Sequence, residues 1–297
     1  MATPREWVAG ARPRTLTAAI APVFVGTAIA VSLQAFDALR ALLALGVAVA
    51  LQIGVNYAND YSDGIKGTDA VRVGPVRLVG QQRASAGAVR SAAVGAFLIA
   101  AVLGFVLVAL VGQWWLLLVG AASIAAGWLY TGGPRPYGYA GLGEVFVLIF
   151  FGVVPVAGTA YVQTLTFTPA MFIAGVAIGL PITAILIANN LRDIPTDLAA
   201  GKRTLATRLG DARTRTLFAF TIVLAFMLVI VLAFTVSPWL LLTLASAPFA
   251  IRPVRIVRAG AEGRALIAVL QQTSLLVLVF GLLLGLGFIL IEVLGNL

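Results

Sequence analysis

The sequence has no cysteine and no histidine in 297 residues, and only 11 acidic residues against 20 basic ones. The first absence removes disulfides, thiolate nucleophiles and sulfur metal ligands; the second removes imidazole ligands and histidine acid–base work. Any metal bound by these side chains is therefore held by oxygen. Charge is scarce altogether: 10% of residues are charged and 61% are hydrophobic, which leaves too little polar surface for a water-soluble globule of this size.

What is abundant is apolar sequence in long runs. A segment that crosses the roughly 30 Å hydrocarbon core must satisfy its own backbone hydrogen bonds, so such runs are read as helices. Nine are expected, at about 16–33, 38–58, 89–111, 114–130, 142–161, 170–190, 215–236, 238–251 and 266–293. The run at 238–251 is the shortest. The first lacks a small-residue cleavage site and is followed by further apolar runs, so it is read as a span rather than a removable signal. The fold class expected is an all-α polytopic membrane protein. The whole of 1–297 forms one membrane domain in this reading, with no separate soluble part.

Orientation follows from where Lys and Arg fall, because short loops rich in them stay cytoplasmic. With the N-terminus inside, all of the 20 basic residues except Arg40 fall on the cytoplasmic side. They include Arg5, Arg12 and Arg14, the group from Lys66 through Arg77 to Arg90, Arg135, the group from Arg192 to Arg215, and Arg252 to Arg264. The net charge of +9 then serves topology and attraction to anionic headgroups, with no nucleic-acid partner implied. In a bacterial cell this places the protein in the inner membrane.

The acidic residues are where the sequence becomes specific. At the end of the second run come Asn56, Asn59, Asp60, Asp63, Gly64, Lys66, Gly67 and Asp69; at the end of the sixth come Asn189, Asn190, Arg192, Asp193, Asp197, Gly201, Lys202 and Arg203. Each stretch reads Asn, Asp four later, a second Asp, then Gly and Lys. If the helices persist, Asn56, Asp60 and Asp63 share one face, as do Asn189, Asp193 and Asp197. Pro195 should loosen the second helix, since it lacks an N–H and its ring clashes with the preceding turn. The likeness of 56–69 to 189–204 suggests a weak internal duplication, with the two clusters facing each other across a bundle.

Carboxylates packed this closely repel, and each costs about 2.5–3.5 kcal/mol at the centre of a membrane helix on insertion scales. Hard oxygen ligands suit Mg²⁺, which takes one or two protein carboxylates and completes its octahedron with water and phosphate oxygens. Two clusters could hold a diphosphate between them, with Lys66, Lys202 and Arg203 on its remaining oxygens. A solvated loop with local ion pairs explains one such cluster as well as a metal does, but two in so acid-poor a chain favour the metal.

These two stretches resemble the aspartate-rich motifs of the intramembrane aromatic prenyltransferases, and the likeness runs over nearly the whole chain. The segment from Tyr130 through Pro134, Arg135, Pro136, Tyr137, Tyr139 and Gly143 to Glu144, with Gly201 to Gly210, is similar to the dihydroxynaphthoate branch. The resemblance implies nine helices around a central cavity, an all-trans polyprenyl diphosphate donor, an aromatic acid acceptor and Mg²⁺, with two ions bridged by the diphosphate. It also implies ionisation of the donor to an allylic cation, capture by a ring carbon, and loss of the ring carboxylate as carbon dioxide, the chemistry that yields demethylmenaquinol in menaquinone synthesis. Asp60, Asp63, Asp193 and Asp197, with Asn56 and Asn189, would then hold the metals. Lys66, Lys202, Arg203 and Arg135 would meet the diphosphate, with Asn59 and Asn190 beside them. Tyr130, Tyr137 and Tyr139 would face the cation, although an interfacial role fits Tyr137 and Tyr139 equally. One departure is Gly67, where a related branch has a further Asp; Asp69 is the candidate to replace it.

Two other residues carry two roles each at this point. Arg14 could bind the acceptor carboxylate or only fix topology, and Glu144 could act in the site or only cap its helix. Rival functions are a relative with another acceptor, such as 4-hydroxybenzoate, homogentisate or haem, and a divalent-cation transporter. The transporter would carry its carboxylates near the bilayer midplane, whereas these lie at helix ends among Lys and Arg. Because the donor's tail moves from lipid rather than from water, its burial gains little, and short-chain donors are expected to react.

Overall fold

The computed structural model describes residues 2–67 and 76–295; Asp69 and Arg72 lie outside the described residues. Among the described residues every regular element is a helix. In chain order they are α1 (Pro4–Gly10), α2 (Thr17–Ser32), α3 (Ala38–Ile65), α4 (Ala86–Val111), α5 (Leu116–Leu129), α6 (Gly143–Thr164), α7 (Pro169–Ala199), α8 (Leu205–Leu209), α9 (Asp211–Thr235), α10 (Pro238–Arg258) and α11 (Ala265–Leu294).

Seven of these, α3, α4, α6, α7, α9, α10 and α11, are long and apolar enough to cross a membrane. The N-terminal segment Pro4–Thr15 and α2 form a pair bent by 48° that meets the same test together. Helix α5, at 14 residues, is apolar but shorter than the roughly 20 residues a perpendicular span needs. The expected eighth run is present and reaches Arg258, because its first nine residues wind as a 3-10 helix before the chain relaxes to α. A 3-10 helix rises more per residue, so Pro238–Arg258 reaches further than its count suggests.

Local signals fix the boundaries. Asp37 accepts from the Arg40 amide at the start of α3 (3.0 Å) and Ser85 from the Ala88 amide at the start of α4 (3.2 Å), each satisfying one of the orphan donors of a helix N-terminus. Pro155 cannot supply the N–H that the carbonyl of Phe151 awaits, and α6 passes through a π-helical stretch at Leu148–Val153 just before it.

The same stretch lies backbone to backbone on α7. A Cβ added to Gly152 would fall 2.6 Å from both the Gly175 carbonyl oxygen and the Gly179 Cα, so only glycine permits this approach. The main core joins α2, α6, α7, α9, α10 and α11 around Phe218, Phe280 and Phe288. A second cluster, with Tyr57, Leu78 and Phe97, ties α3 to α4. Helices α3 and α7 thus stand in different packing groups, and their polar ends meet across the space between them.

Candidate active site

Both polar stretches remain helical. Helix α3 continues through Asn56, Asn59, Asp60 and Asp63 to Ile65, and α7 continues through Pro195 to Ala199. The loosening expected at Pro195 does not occur. The Thr196 hydroxyl donates to the Asp193 carbonyl (2.9 Å), and Lys202 donates its amide to the Asp197 carbonyl (2.8 Å), so the last turn is held from outside the α-helical ladder.

The helix ends meet at Lys202. Its ammonium lies 3.5 Å from Asp63 Oδ1 and 3.8 Å from Asp197 Oδ1, and all three residues are over nine-tenths buried. One cation thus holds together two carboxylates that would otherwise repel. Tyr139 completes the group: its hydroxyl donates to Asp63 Oδ1 (2.7 Å), and its ring lies under Lys202 (4.6 Å to the centroid) and Lys66 (4.9 Å). The Lys66 ammonium donates to the Thr131 carbonyl (2.6 Å). Desolvation pushes it below the usual lysine range, Asp63 draws it back up and Lys202 pushes it down again.

Asp63, Asp197, Lys202 and Tyr139 line a polar pocket of about 140 Å³, together with Asn59, Asn189, Asn190, Arg12, Arg77 and Thr131 among others. Its amides are oriented by their neighbours. Asn59 Oδ1 accepts from the Thr131 hydroxyl (2.8 Å), which leaves the NH₂ group as the donor for the pocket. Asn190 is the reverse: its NH₂ donates to the buried Glu144 carboxylate (2.9 Å), which leaves its oxygen for the pocket.

Arg12, Asn59, Tyr130, Leu186 and Asn189 also line a second, larger cavity of about 500 Å³. Apart from a few polar groups its wall is apolar, built from α2 to α7 with residues such as Val23, Leu107, Phe150 and Ile182. Tyr130 packs edge-on against Tyr137 (5.6 Å), which stacks on Phe146 (4.0 Å). The Tyr137 hydroxyl donates to the Ala126 carbonyl (2.8 Å), and burial pushes this phenol well above its ordinary range. A small charged chamber and a larger apolar one therefore share walls, with the Tyr130 ring common to both.

Several expected site residues lie elsewhere. Asp60 is fully buried and both its carboxylate oxygens accept backbone amides, from Leu78 (2.7 Å) and Val79 (3.1 Å), so it anchors the loop and does not line the pocket. Asp193 is engaged by Arg192 through two bonds of 2.7 and 2.9 Å and is likewise absent from the lining. Asn56 faces the apolar cavity, where its NH₂ donates to the Ala11 carbonyl (2.9 Å) and the Thr15 hydroxyl (3.1 Å). Lys66, Arg135, Arg203 and Arg14 are exposed and line neither chamber, although Lys66 stays beside the pocket through its contact with the Tyr139 ring.

Arg12 and Arg77, counted from sequence only toward topology, do line the polar pocket. Arg12 holds a left-handed backbone (φ 54°), which a non-glycine residue adopts at a cost.

The oxygen-only donors suit a magnesium site. Asp63 and Asp197 each present an oxygen within 4 Å of one ammonium, and no group of three or more His, Cys, Asp or Glu is assembled among the described residues. Two protein carboxylates with phosphate oxygens making up the shell is the arrangement Mg²⁺ accepts and most other protein-bound metals do not require.

The sequence relationships agree with this geometry. A protein named 1,4-dihydroxy-2-naphthoate octaprenyltransferase from Mycobacterium tuberculosis is 54% identical over 282 residues, covering 95% of this chain and 96% of that one. One of the same name from Escherichia coli is 39% identical, covering 96% of each. A UbiA homologue of Archaeoglobus fulgidus, solved with DMAPP and Mg²⁺, superposes with a TM-score of 0.67 at 13% identity, covering 96% of this chain and 99% of that one. Residues 19–265 match the UbiA prenyltransferase family, and the chain belongs to that family.

Proposed function

We propose that this protein transfers a polyprenyl group from a prenyl diphosphate to 1,4-dihydroxy-2-naphthoate, with loss of the ring carboxylate, as a Mg²⁺-dependent enzyme of menaquinone synthesis. The observation that carries the reading is the pair of adjoining chambers with shared walls: a charged pocket suited to a diphosphate beside an apolar cavity suited to a hydrocarbon tail. The names of its relatives, 54% and 39% identical over nearly full length, support the acceptor.

Asp63 and Asp197 would hold magnesium, aided by the oxygens of Asn189 and Asn190. Magnesium, when bound, supplies positive charge that draws in the diphosphate and stabilises it as a leaving group. Lys202, Lys66, Arg77 and Arg12 would meet the remaining phosphate oxygens, with the Asn59 NH₂ as a neutral donor. As the carbon–oxygen bond of the donor breaks, the faces of Tyr130, Tyr137 and Phe146 meet the allylic cation, and the apolar wall keeps water from capturing it. A ring carbon of the acceptor supplies the electron pair for the new carbon–carbon bond. The carboxylate departs as carbon dioxide, and its bonding pair restores the aromatic ring. When attack falls on the carbon that bears the carboxylate, no ring proton has to be removed.

In this proposal the N-terminus and the polar pocket face the cytoplasm of a bacterial inner membrane, α5 completes a set of nine spans, and the two acidic stretches descend from one duplicated element of a single domain. The asymmetric distribution of Lys and Arg supports the orientation. The test is incubation of the purified protein with Mg²⁺, farnesyl diphosphate and 1,4-dihydroxy-2-naphthoate, following product mass and carbon dioxide release. Prenylated product that disappears on chelation is expected. Preferred reaction with 4-hydroxybenzoate would move the acceptor, and magnesium uptake into vesicles without diphosphate consumption would restore the transporter.

A further inference from the structure

The apolar cavity carries one polar feature that a hydrocarbon tail cannot satisfy. On the face of α3 that leads from the polar pocket toward the cavity stand Asp63, Asn59, Asn56 and Gln52, each about one turn below the last. Gln52 is the deepest, about 16 Å along the axis from Asp63 at ~1.5 Å per residue. It is 6% exposed, lines the cavity, and its side-chain oxygen has no hydrogen-bond partner within the protein.

The hydrogen bonds around it fix which end of the amide is left over. The Ala11 carbonyl can only accept, so the Asn56 group that meets it at 2.9 Å is the NH₂. Asn56 Oδ1 is therefore the atom turned to Gln52, at 3.3 Å, and it requires the Gln52 NH₂. That same NH₂ also reaches the Thr15 hydroxyl at 3.2 Å. The remaining atom is Oε1, a buried acceptor whose amide is oriented through its NH₂ by Asn56 and Thr15, and leaving such a group unpaired is costly.

We infer that Gln52 is a specificity residue for the aromatic acceptor: its side-chain oxygen accepts a hydrogen bond from the ring hydroxyl remote from the reacting carbon. This rests on the proposed acceptor class and deepens it. With the diphosphate at Asp63 and Asp197, an acceptor placed below it can turn the hydroxyl on the far side of its reacting ring down the ladder toward Gln52. A prenyl tail against the same wall offers no donor.

The experiment pairs removal of the hydroxyl with removal of the amide. Binding of 1,4-dihydroxy-2-naphthoate and of 1-hydroxy-2-naphthoate, which lacks the remote hydroxyl, is measured by naphthoate fluorescence on the full-length protein and on Gln52→Met, alongside KM for farnesyl diphosphate. On the unmodified protein, loss of the hydroxyl should weaken binding about tenfold; on Gln52→Met the two ligands should bind within about twofold of each other, with donor KM unchanged. Should the variant not fold, the 4-methoxy analogue on the unmodified protein decides, because an ether cannot donate and must lose as much as the deletion. Equal affinity for the diol and its deleted or methylated analogue overturns the assignment of Gln52 and leaves the acceptor class standing. A protein that binds none of these naphthoates overturns both.

Discussion

The two acidic stretches look alike in sequence and are used alike in the structure, but each divides its labour. On α3, Asp63 turns to the pocket and Asp60 holds the amides of Leu78 and Val79; on α7, Asp197 turns to the pocket and Asp193 is engaged by Arg192. The helical period explains the division, since residues three or four apart share a face only loosely, and where two layers pack closely one of them meets the opening and its fellow meets the neighbouring chain. A motif count of four carboxylates therefore overstates the charge that faces a ligand. The two inward carboxylates share the pocket with Lys202, Arg12 and Arg77, and this mutual compensation lowers the cost of keeping them beside an apolar cavity.

The strongest way to break this comparison is to neutralise the inward pair. Asp63→Asn and Asp197→Asn should each lower kcat by about a thousandfold or more, near 4 kcal/mol of transition-state stabilisation, with the thermal midpoint little changed. If either retained a tenth of the activity, the pocket would not be the metal site. Asp60 should behave in the opposite manner. Asp60→Ala leaves two backbone donors without a partner, at least one of them fully buried, at about 1–3 kcal/mol each, so the unfolding midpoint should fall clearly while Mg²⁺ affinity in the surviving fraction stays the same. An Asp60→Asn protein that is stable yet as inactive as Asp63→Asn would show that the outward carboxylate acts in catalysis.

A smaller effect sharpens the second helix. Glu144 lines neither chamber, yet it holds the Asn190 amide so that its oxygen is the end left for the pocket. Glu144→Gln can present a donor where a carboxylate only accepts, and the Asn190 amide then has reason to turn over. The expected result is a rise of about tenfold in the Mg²⁺ concentration for half-maximal activity, with donor KM at saturating metal changed far less. An unchanged metal requirement would assign Glu144 to capping alone.

Much of the fold could be read from apolar run length, since in lipid a long apolar run has few alternatives to helix. The ends of α3 and α7 were harder. The runs stop at 58 and 190, but the helices continue to Ile65 and Ala199, because their Asn and Asp side chains find partners on other elements that local propensity does not register. The acidic motifs lie where the polar pocket forms, but of their four aspartates only Asp63 and Asp197 line it. Arg12 and Arg77 were hidden by the abundance of basic residues whose positions topology alone explains. What singles out Arg12 is a left-handed backbone between two short helical turns, and what singles out Gln52 is a bond left unmade; neither has a residue signature.

Sequence proximity misled in the other direction for Arg135 and Arg203, each placed among residues that do build the pocket. Arg203 directly follows Lys202, but successive side chains diverge, and its contribution is through the backbone: its amide donates to the Tyr139 carbonyl (3.1 Å) and its carbonyl accepts from the Arg208 side chain (3.1 Å). Any residue but proline supplies both groups. Arg135 stands exposed between Pro134 and Pro136, outside both chambers. Exposed charges of this kind act through a screened field, so Arg203→Ala and Arg135→Ala should lower kcat/KM for the diphosphate donor by no more than about threefold, an effect that fades as salt is raised. The comparison variant is Lys202→Ala, one residue away and buried between two carboxylates, where the loss should persist at high salt. If Arg203→Ala matched it under those conditions, the side chain would have to reach the pocket during turnover, and the polar chamber would close around its substrate rather than stand ready for it.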